Sequence, residues 1–149
     1  MSSIMRKMNI ISRCESVYRA NKSSEGLPGI YHSYIMLICK NPGISQEKLA
    51  KYLCINKSNV TRHLSFLESN GYVTRSVSEK DKREMLVYPT EKMLGMLEEV
   101  RNITKEWNEK IAVSISGEEM VIFLEVLDKL FEKAKEIIYG EGALNENGI

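Results

Sequence analysis

The sequence predicts a mainly helical fold that contains one small β-hairpin. Apolar residues recur at three- and four-residue spacing over most of the 149 residues, which is the period of amphipathic helices. The stretch 72–88 differs, because two short runs rich in β-branched and aromatic residues flank a polar, charged segment. Two short helices joined by a tight turn come directly before it. These observations predict a helix-turn-helix followed by a hairpin, which is a winged helix.

Composition and charge favour an ordinary soluble domain with one basic region. Charged residues make up 28% of the chain, and the formal net charge is only +1. Residues 40–92 nevertheless contain ten Lys and Arg against six Asp and Glu. A basic segment on a mildly acidic body is typical of a DNA-binding protein. No apolar run approaches the ~20 residues that cross a membrane and no secretory signal is visible, so we expect a cytoplasmic protein without a membrane partner.

Two helices are predicted before the helix-turn-helix. The first spans residues 3–21 and is followed by a connector rich in serine, glycine and proline at 21–29. The second runs from Ile30 to Cys39 and ends before Pro42, because the residue preceding a proline avoids helical geometry. In a winged helix this second helix supports the helix-turn-helix from behind. The residues expected in the core are Ile35, Leu37, Ile38, Cys39 and Cys54.

Residues 45–71 carry the helix-turn-helix signal. Ser45 and Asn56 are predicted N-caps of its two helices, since their side chains accept hydrogen bonds from the first backbone N–H groups. Gly71 follows the second helix, where a left-handed conformation is favoured. The second helix has one predicted buried stripe, formed by Val60, Leu64 and Leu67.

The opposite face of that second helix is polar at its N-terminal end. A helix that enters a major groove presents this end to the base edges. Because the hairpin adds cations beside this face, both elements are expected to contact DNA. The candidate DNA-binding residues are Lys57, Ser58, Asn59, Thr61, Arg62, Ser65, Arg75, Lys82 and Arg83. A winged-helix module that binds protein and not DNA is the alternative, and the basic face argues against it.

Asp81 is predicted to position Arg83 at the tip of the hairpin. The two residues are separated by one position, so on an extended segment their side chains would lie on the same side. A fork-to-fork pair would then hold the guanidinium in the pose needed to enter a narrow minor groove.

Two long helices are predicted after the hairpin. Thr90 is expected to cap a helix from Glu91 to about Val113, and Ser116 begins a capping box for the last helix. The apolar stripes of residues 3–21 and 91–138 are wider than one chain of this length can cover. We therefore expect a single chain, 1–149, in which residues 30–90 bind DNA and the flanking helices form a homodimer.

Residues 42–92 resemble the MarR (multiple antibiotic resistance regulator) family, including its Asp-x-Arg wing signature. The departures, Pro89 for Leu and Met93 for Gly, concern only the join after the hairpin. The segments that carry the resemblance are Pro42-Gly43-Ile44-Ser45, Leu49-Ala50, Asn56-Lys57-Ser58-Asn59-Val60-Thr61-Arg62, Leu67-Glu68-Ser69-Asn70-Gly71-Tyr72-Val73, Asp81-Lys82-Arg83 and Thr90-Glu91-Lys92.

The resemblance implies a two-fold dimeric transcriptional regulator that binds a pseudo-palindromic operator in double-stranded DNA. It further implies a repressor that is released by a small, often aromatic, effector. In the family, the start of the second helix borders a cleft between the dimerising and winged portions. His32 is then a candidate ligand contact, and Tyr31 and Tyr34 are expected either in the core or as walls of the implied ligand pocket.

The sequence contains no recognisable catalytic or metal-binding motif. The phosphate-binding loop, the nucleophile elbow and the zinc-protease motif do not occur, and the two histidines, His32 and His63, are not at metal-ligand spacing. We therefore expect neither an enzyme nor a cofactor. Some family members sense peroxide through a cysteine in the first helix, so a thiol-based redox regulator that uses Cys14 stays open as an alternative.

Overall fold

The computed structural model describes residues 3–140, and over this range the chain forms six α-helices and one three-stranded sheet. The predicted fold, mainly helical with a small hairpin, is confirmed. The helices are α1 (Ile4–Lys22), α2 (Gly29–Lys40), α3 (Gln46–Leu53), α4 (Lys57–Ser69), α5 (Glu91–Ile111) and α6 (Gly117–Tyr139). The strands are β1 (Ile44–Ser45), β2 (Val73–Val77) and β3 (Met85–Pro89).

The sheet is antiparallel and has the order β1-β3-β2. The hairpin of β2, β3 and the connecting residues 78–84 is called the wing below. The sequence did not predict β1, whose Ile44 pairs with Val87 at the centre of β3. Since β1 leads directly into α3, this pairing fastens the wing to the start of the helix-turn-helix.

The predicted capping residues close the helices as expected. Ser45 Oγ accepts from the backbone N–H of Lys48 at 3.2 Å, and Asn56 Oδ1 accepts from that of Asn59 at 2.8 Å. Gly71 has a φ of +77°, the left-handed conformation expected after α4. Ser116 forms the predicted capping box of α6. These contacts set where α3 and α4 begin and where α4 ends.

The core lies where α2 meets the helix-turn-helix, the wing and α5. Ile35 and Ile38 are fully buried there and Leu37 nearly so, as predicted. Cys39 is half-buried. The prediction for Cys54 is wrong, because this residue is exposed. It ends α3 in a left-handed conformation with a φ of 50°, so it belongs to the turn and not to the apolar stripe of the helix.

Within residues 3–140 the chain divides into two compact units, with the boundary between residues 108 and 109. The first unit holds the winged helix together with α1 and most of α5. Within the described residues, neither α1 nor α6 contains a buried residue, and both expose large apolar side chains. No helix in the range 3–140 is long and apolar enough to span a membrane.

Candidate nucleic-acid interface

The N-terminal half of α4 presents polar side chains that bond to one another. Asn56 Oδ1 accepts from Ser58 Oγ at 2.9 Å as well as from the backbone of Asn59. Arg62 Nη2 donates to Asn59 Oδ1 at 3.0 Å. Exposed hydrogen bonds of this kind exchange with water at little net cost, so a nucleic-acid acceptor could replace them. The arrangement therefore holds the Arg62 guanidinium on the outer face of the helix.

Two hydroxyls on the same face are already used as donors within the helix. Thr61 Oγ1 donates to the carbonyl of Lys57 at 3.0 Å, and Ser65 Oγ donates to the carbonyl of Thr61 at 2.9 Å. The Thr61 oxygen can still accept a hydrogen bond, whereas Ser65 Oγ already accepts one from Arg75 Nη2 at 3.3 Å. Lys57 Nζ lies 3.1 Å from Glu47 Oε1, but both side chains are 75% exposed, so this pair is weak and easily exchanged.

The tip of the wing is a hydrogen-bonded turn, which differs from the extended pair predicted for Asp81 and Arg83. Asp81 Oδ1 accepts from both the backbone N–H of Arg83 at 3.0 Å and its Nε at 3.3 Å. One oxygen therefore closes an Asx turn, in place of the expected fork. These two hydrogen bonds, the backbone one first, lower the pKa of the Asp81 carboxyl.

Ser78 supports this turn and was missed by the sequence analysis. It is nearly buried, and its Oγ accepts from the backbone N–H groups of Lys80 and Asp81, both at 3.3 Å. The signal that could have revealed it in the sequence is a serine at the start of a polar turn. The turn leaves Lys82 exposed and the Arg83 side chain 92% exposed, so these cations lie at the outermost part of the wing.

A groove of about 600 Å³ separates the polar face of α4 from the wing tip. Lys57 and Thr61 lie on its helix side, and Arg83 lies on its wing side. The groove also contains the carboxylates of Glu47, Asp81 and Glu84. The first two are paired with Lys57 and Arg83, which reduces the repulsion that an incoming anion would meet.

Arg75, another candidate DNA contact, is engaged inside the protein. Its Nε and Nη2 donate to Glu68 Oε2 at 3.0 and 2.6 Å, its Nη1 donates to Gln46 Oε1 at 3.2 Å, and its Nη2 donates to Ser65 Oγ at 3.3 Å. The side chain is only 18% exposed. Hydrogen bonding to Arg75 lowers the pKa of the Glu68 carboxyl. Arg75 and Ser65 thus lie in one network where β2 meets α4, at the base of the wing.

The three candidate pocket residues fall into two separate groups. Tyr31 stacks on Phe66 of α4, with ring centroids 4.6 Å apart and planes at 13°. The fully buried Tyr34 lies with its hydroxyl 3.0 Å from His63 Nδ1, and burial raises its pKa to about 12. Both tyrosines therefore join α2 to α4. His32 is fully buried, and neither of its ring nitrogens forms a geometrically acceptable hydrogen bond within the described residues, although an interaction with the backbone of Leu27 acts to raise its pKa.

Arg19 of α1 and Glu99 of α5 accompany His32 and were missed from the sequence. Arg19 Nε and Glu99 Oε2 are also buried and lack a partner among residues 3–140. Glu99 Oε1 accepts from the backbone of Ser24 at 3.0 Å, and Arg19 also pairs with Glu15. Burial first, then the charge of Arg19, lowers the pKa of His32. Because these residues lie far apart in the chain, no local pattern could have revealed the cluster.

Arg19 also faces a small pocket between α1 and α2. The pocket has a volume of about 140 Å³. Hydroxyl groups and one ion pair dominate its lining, which comprises Ser12, Glu15, Ser16, Arg19, Gly29, Ile30 and Ser33. Over residues 3–140 no cluster of side chains could hold a metal ion.

Comparison with known proteins identifies the family. A sequence model of the MarR family matches residues 32–85. The HTH-type transcriptional regulator BilQ from Clostridium symbiosum is 31% identical over 123 residues, which cover 83% of this chain and 82% of that protein. The chain belongs to the MarR family. This membership confirms the expected transcriptional regulator and places the chain outside the enzymes. An uncharacterized HTH-type regulator, YybA of Bacillus subtilis, is 30% identical over 93 residues, just 62% of its length.

Solved structures of MarR regulators share the fold over nearly the whole chain. A MarR transcriptional regulator from Methanosarcina mazei superposes with a TM-score of 0.83 and 28% identity, covering 90% of this chain and 97% of that one. A MarR-family regulator from Listeria monocytogenes, solved with 26mer DNA, gives a TM-score of 0.82 and 26% identity, with 91% of each chain covered.

Proposed function

We propose that this MarR-family regulator is a homodimer that binds a pseudo-palindromic operator in double-stranded DNA. The observation that carries the proposal is that exposed cations lie on both sides of one groove, Lys57 on α4 and Arg83 on the wing. Arg62 lies on the outer face of α4, and Arg83 lies at the wing tip with 92% of its side chain exposed. The DNA bound to the Listeria relative supports the same use of this fold.

The exposed residues divide into base-reading and phosphate-binding roles. In this proposal Arg62 makes a bidentate contact to guanine, and Ser58, Asn59 and Thr61 contact bases or phosphates in the major groove. Lys57 and Lys82 attract phosphates, which makes binding depend strongly on salt. Arg83 enters the adjacent minor groove, where a narrow groove concentrates negative potential. The winged-helix region, residues 30–90, thus supplies every proposed DNA contact.

Uncovered apolar helices support the homodimer. Over the described residues, α1 and α6 bury none of their side chains, and Val17, Phe123 and Phe131 are each about half exposed or more. Monomeric proteins rarely leave such large apolar patches in water. A second copy of the chain, with the helices of 3–21 and 91–138 interlocked, would cover them. Two-fold symmetry then sets the operator half-sites about 34–36 Å apart, one turn of DNA.

A small effector bound near His32 would release the regulator from DNA, so that it acts as a cytoplasmic repressor. The buried, unpartnered groups of His32, Arg19 and Glu99 support this site, because buried polar atoms normally have hydrogen-bond partners. They come from α2, α1 and α5, so a ligand there would contact both the dimerising and the DNA-binding helices. An aromatic ligand with polar substituents fits this chemistry, although Tyr31 and Tyr34 pack against α4 instead.

Selection of genomic fragments tests the function. The purified protein is mixed with sheared genomic DNA, bound fragments are sequenced, and the recovered site is footprinted. We expect two protected half-sites about one helical turn apart. Retention of no fragment above random DNA would contradict the proposal and favour the protein-interaction alternative.

The redox alternative has its own test, since Cys14 is exposed on α1. Peroxide should leave operator binding intact in the wild type and in Cys14→Ser alike. Release of wild type by peroxide, with resistance of the serine variant, would establish thiol sensing instead.

A further inference from the structure

We propose that Glu68 and Arg75 form a positioning clamp that sets the wing relative to α4 and contacts no DNA. The proposal rests on the DNA-binding function proposed above and gives Arg75 a different role from the direct contact predicted from sequence. In this clamp Glu68 lies on α4 and Arg75 on β2, and Arg75 donates further hydrogen bonds to Ser65 on α4 and to Gln46 at the start of α3.

One guanidinium joins three elements in this clamp. Arg75 uses all three of its nitrogens, and its two contacts to Glu68 Oε2 are the shortest, at 2.6 and 3.0 Å. Its Nη1 reaches Gln46 at 3.2 Å on a different helix. A planar guanidinium with several fixed partners resists rotation, so its position fixes the distance between the helices and β2.

The strand that carries Arg75 leads directly to the wing tip. Arg75 pairs with Val87 of β3, and the ladder continues to Val77 and Met85, where the turn of residues 78–84 begins. The outer end of this hairpin carries Arg83. Loosening β2 at Arg75 would therefore let the tip vary its distance from α4 while the helix itself stays folded.

The charges of the pair argue against a direct DNA contact by Arg75. Its side chain is 18% exposed, whereas that of its partner Glu68 is 40% exposed. A phosphate that approached Arg75 would meet this carboxylate as well. In contrast, Arg83 is 92% exposed, and its guanidinium makes a single hydrogen bond to Asp81, at 3.3 Å. The exposed arginine of the wing suits DNA contact, and the enclosed one suits positioning.

Glu68→Gln distinguishes the two roles by the sign of its effect. The substitution keeps the shape but removes a negative charge near DNA and weakens the hold on Arg75. If Arg75 contacted phosphate, binding would tighten. If the pair positions the wing, binding weakens. Glu79→Gln is the matched control, because Glu79 is an exposed acid on the same wing outside the clamp.

The experiment measures operator affinity by fluorescence anisotropy for wild type, Glu68→Gln, Glu79→Gln, Arg83→Ala and the Glu68→Gln/Arg83→Ala pair. We expect Glu68→Gln to weaken binding about 5–20-fold, and much less in the Arg83→Ala background, because a wing that no longer contacts DNA gains nothing from its position. Glu79→Gln should leave binding unchanged or tighten it. Hydrogen exchange without DNA should show faster exchange in residues 73–77 and 85–89 for Glu68→Gln only.

Three outcomes would overturn the clamp. Tighter binding by Glu68→Gln would make Arg75 a direct contact. Fully additive losses with Arg83→Ala would reduce the pair to an ordinary stabilising contact. Unchanged strand exchange would show that the pair does not hold the wing. Failure of the wild type to bind any operator would refute the proposed function separately, and the exchange measurement would still decide whether the pair restrains the wing.

Discussion

Among single residues, Arg62 is the one proposed to recognise a DNA base. It is exposed on α4 and held by Asn59 at 3.0 Å. We expect Arg62→Ala to cost about 1–3 kcal/mol of operator binding and to relax preference at one base pair, the value of a bidentate guanine contact. Competition titrations with operators altered at each position would measure this. An equal loss on random DNA would identify Arg62 as a phosphate contact.

Substitutions of Asp81 distinguish two influences on operator binding, the geometry of the wing turn and the net charge of the wing. Its Oδ1 accepts from the backbone N–H of Arg83, a bond that asparagine can also make. We expect Asp81→Ala to weaken operator binding because the Asx turn is lost, whereas Asp81→Asn should match or exceed the wild type. Anisotropy titrations at one salt concentration give the comparison. Tighter binding by both variants would mean that only the net charge of the wing matters.

His32 should make folding stability fall in mild acid. Burial, together with the charge of Arg19, lowers its pKa in the folded protein, against the opposing effects of Glu99, the Leu27 backbone and Glu15. Below about pH 6.5, His32 therefore binds a proton in the unfolded chain but stays neutral in the folded chain. Stability is fully present above that pH and declines beneath it.

Urea denaturation between pH 7.5 and 5 would measure this decline. His32→Gln should flatten it, leaving the slope that comes from His63, whose pKa burial and Arg62 also lower. His63→Gln serves as the matched variant. An unchanged slope in His32→Gln would contradict the assignment.

The ends of the helices are determined mainly by local sequence signals such as capping residues. The caps at Ser45, Asn56 and Ser116 formed as predicted, since each needs only a backbone N–H three residues away. Helix α5 ends at Ile111, two residues earlier than the prediction of Val113. The sequence did not predict strand β1, because a strand of two residues shows no periodicity and its partner strand, β3, lies some forty positions later in the chain.

Two glycines give a matched test of element geometry. Gly71 has a φ of +77°, whereas Gly95 lies inside α5 with open space where a Cβ would be. Gly71→Ala should destabilise the protein by about 1 kcal/mol or more, and Gly95→Ala should stabilise it by about 0.5–1 kcal/mol. Denaturant unfolding at one protein concentration measures both. Equal effects of the two substitutions would contradict a left-handed requirement after α4.

Dimerisation is the prediction that belongs to the whole molecule. Sedimentation at micromolar concentration should give about twice 17.1 kDa. Phe123 and Leu130 are exposed seven residues apart, on one face of α6, so replacing both with glutamate should produce monomers. Val77→Glu, at an equally exposed site on the wing, should leave the dimer intact. A wild-type monomer that binds operator tightly would contradict the proposed assembly.

The sequence by itself determined the features that depend on neighbours within about four positions. These are the helical periods, the caps, the turn at Gly71 and the hairpin, which was expected over residues 72–88 and lies between Val73 and Pro89. Such features need only local backbone hydrogen bonds and side-chain directions, which residue types already specify. They were sufficient to predict the fold class and the exposed polar face of α4.

Only the tertiary structure decided which side chains meet across the fold. Arg75 looked like a wing cation, yet its partners come from α3 and α4. His32 looked like one of three pocket residues, yet it lies with Arg19 and Glu99, while the two tyrosines pack against α4. Sequence spacing carries no information on these distances, because elements far apart in the chain must first pack before their charges and unpartnered atoms come together.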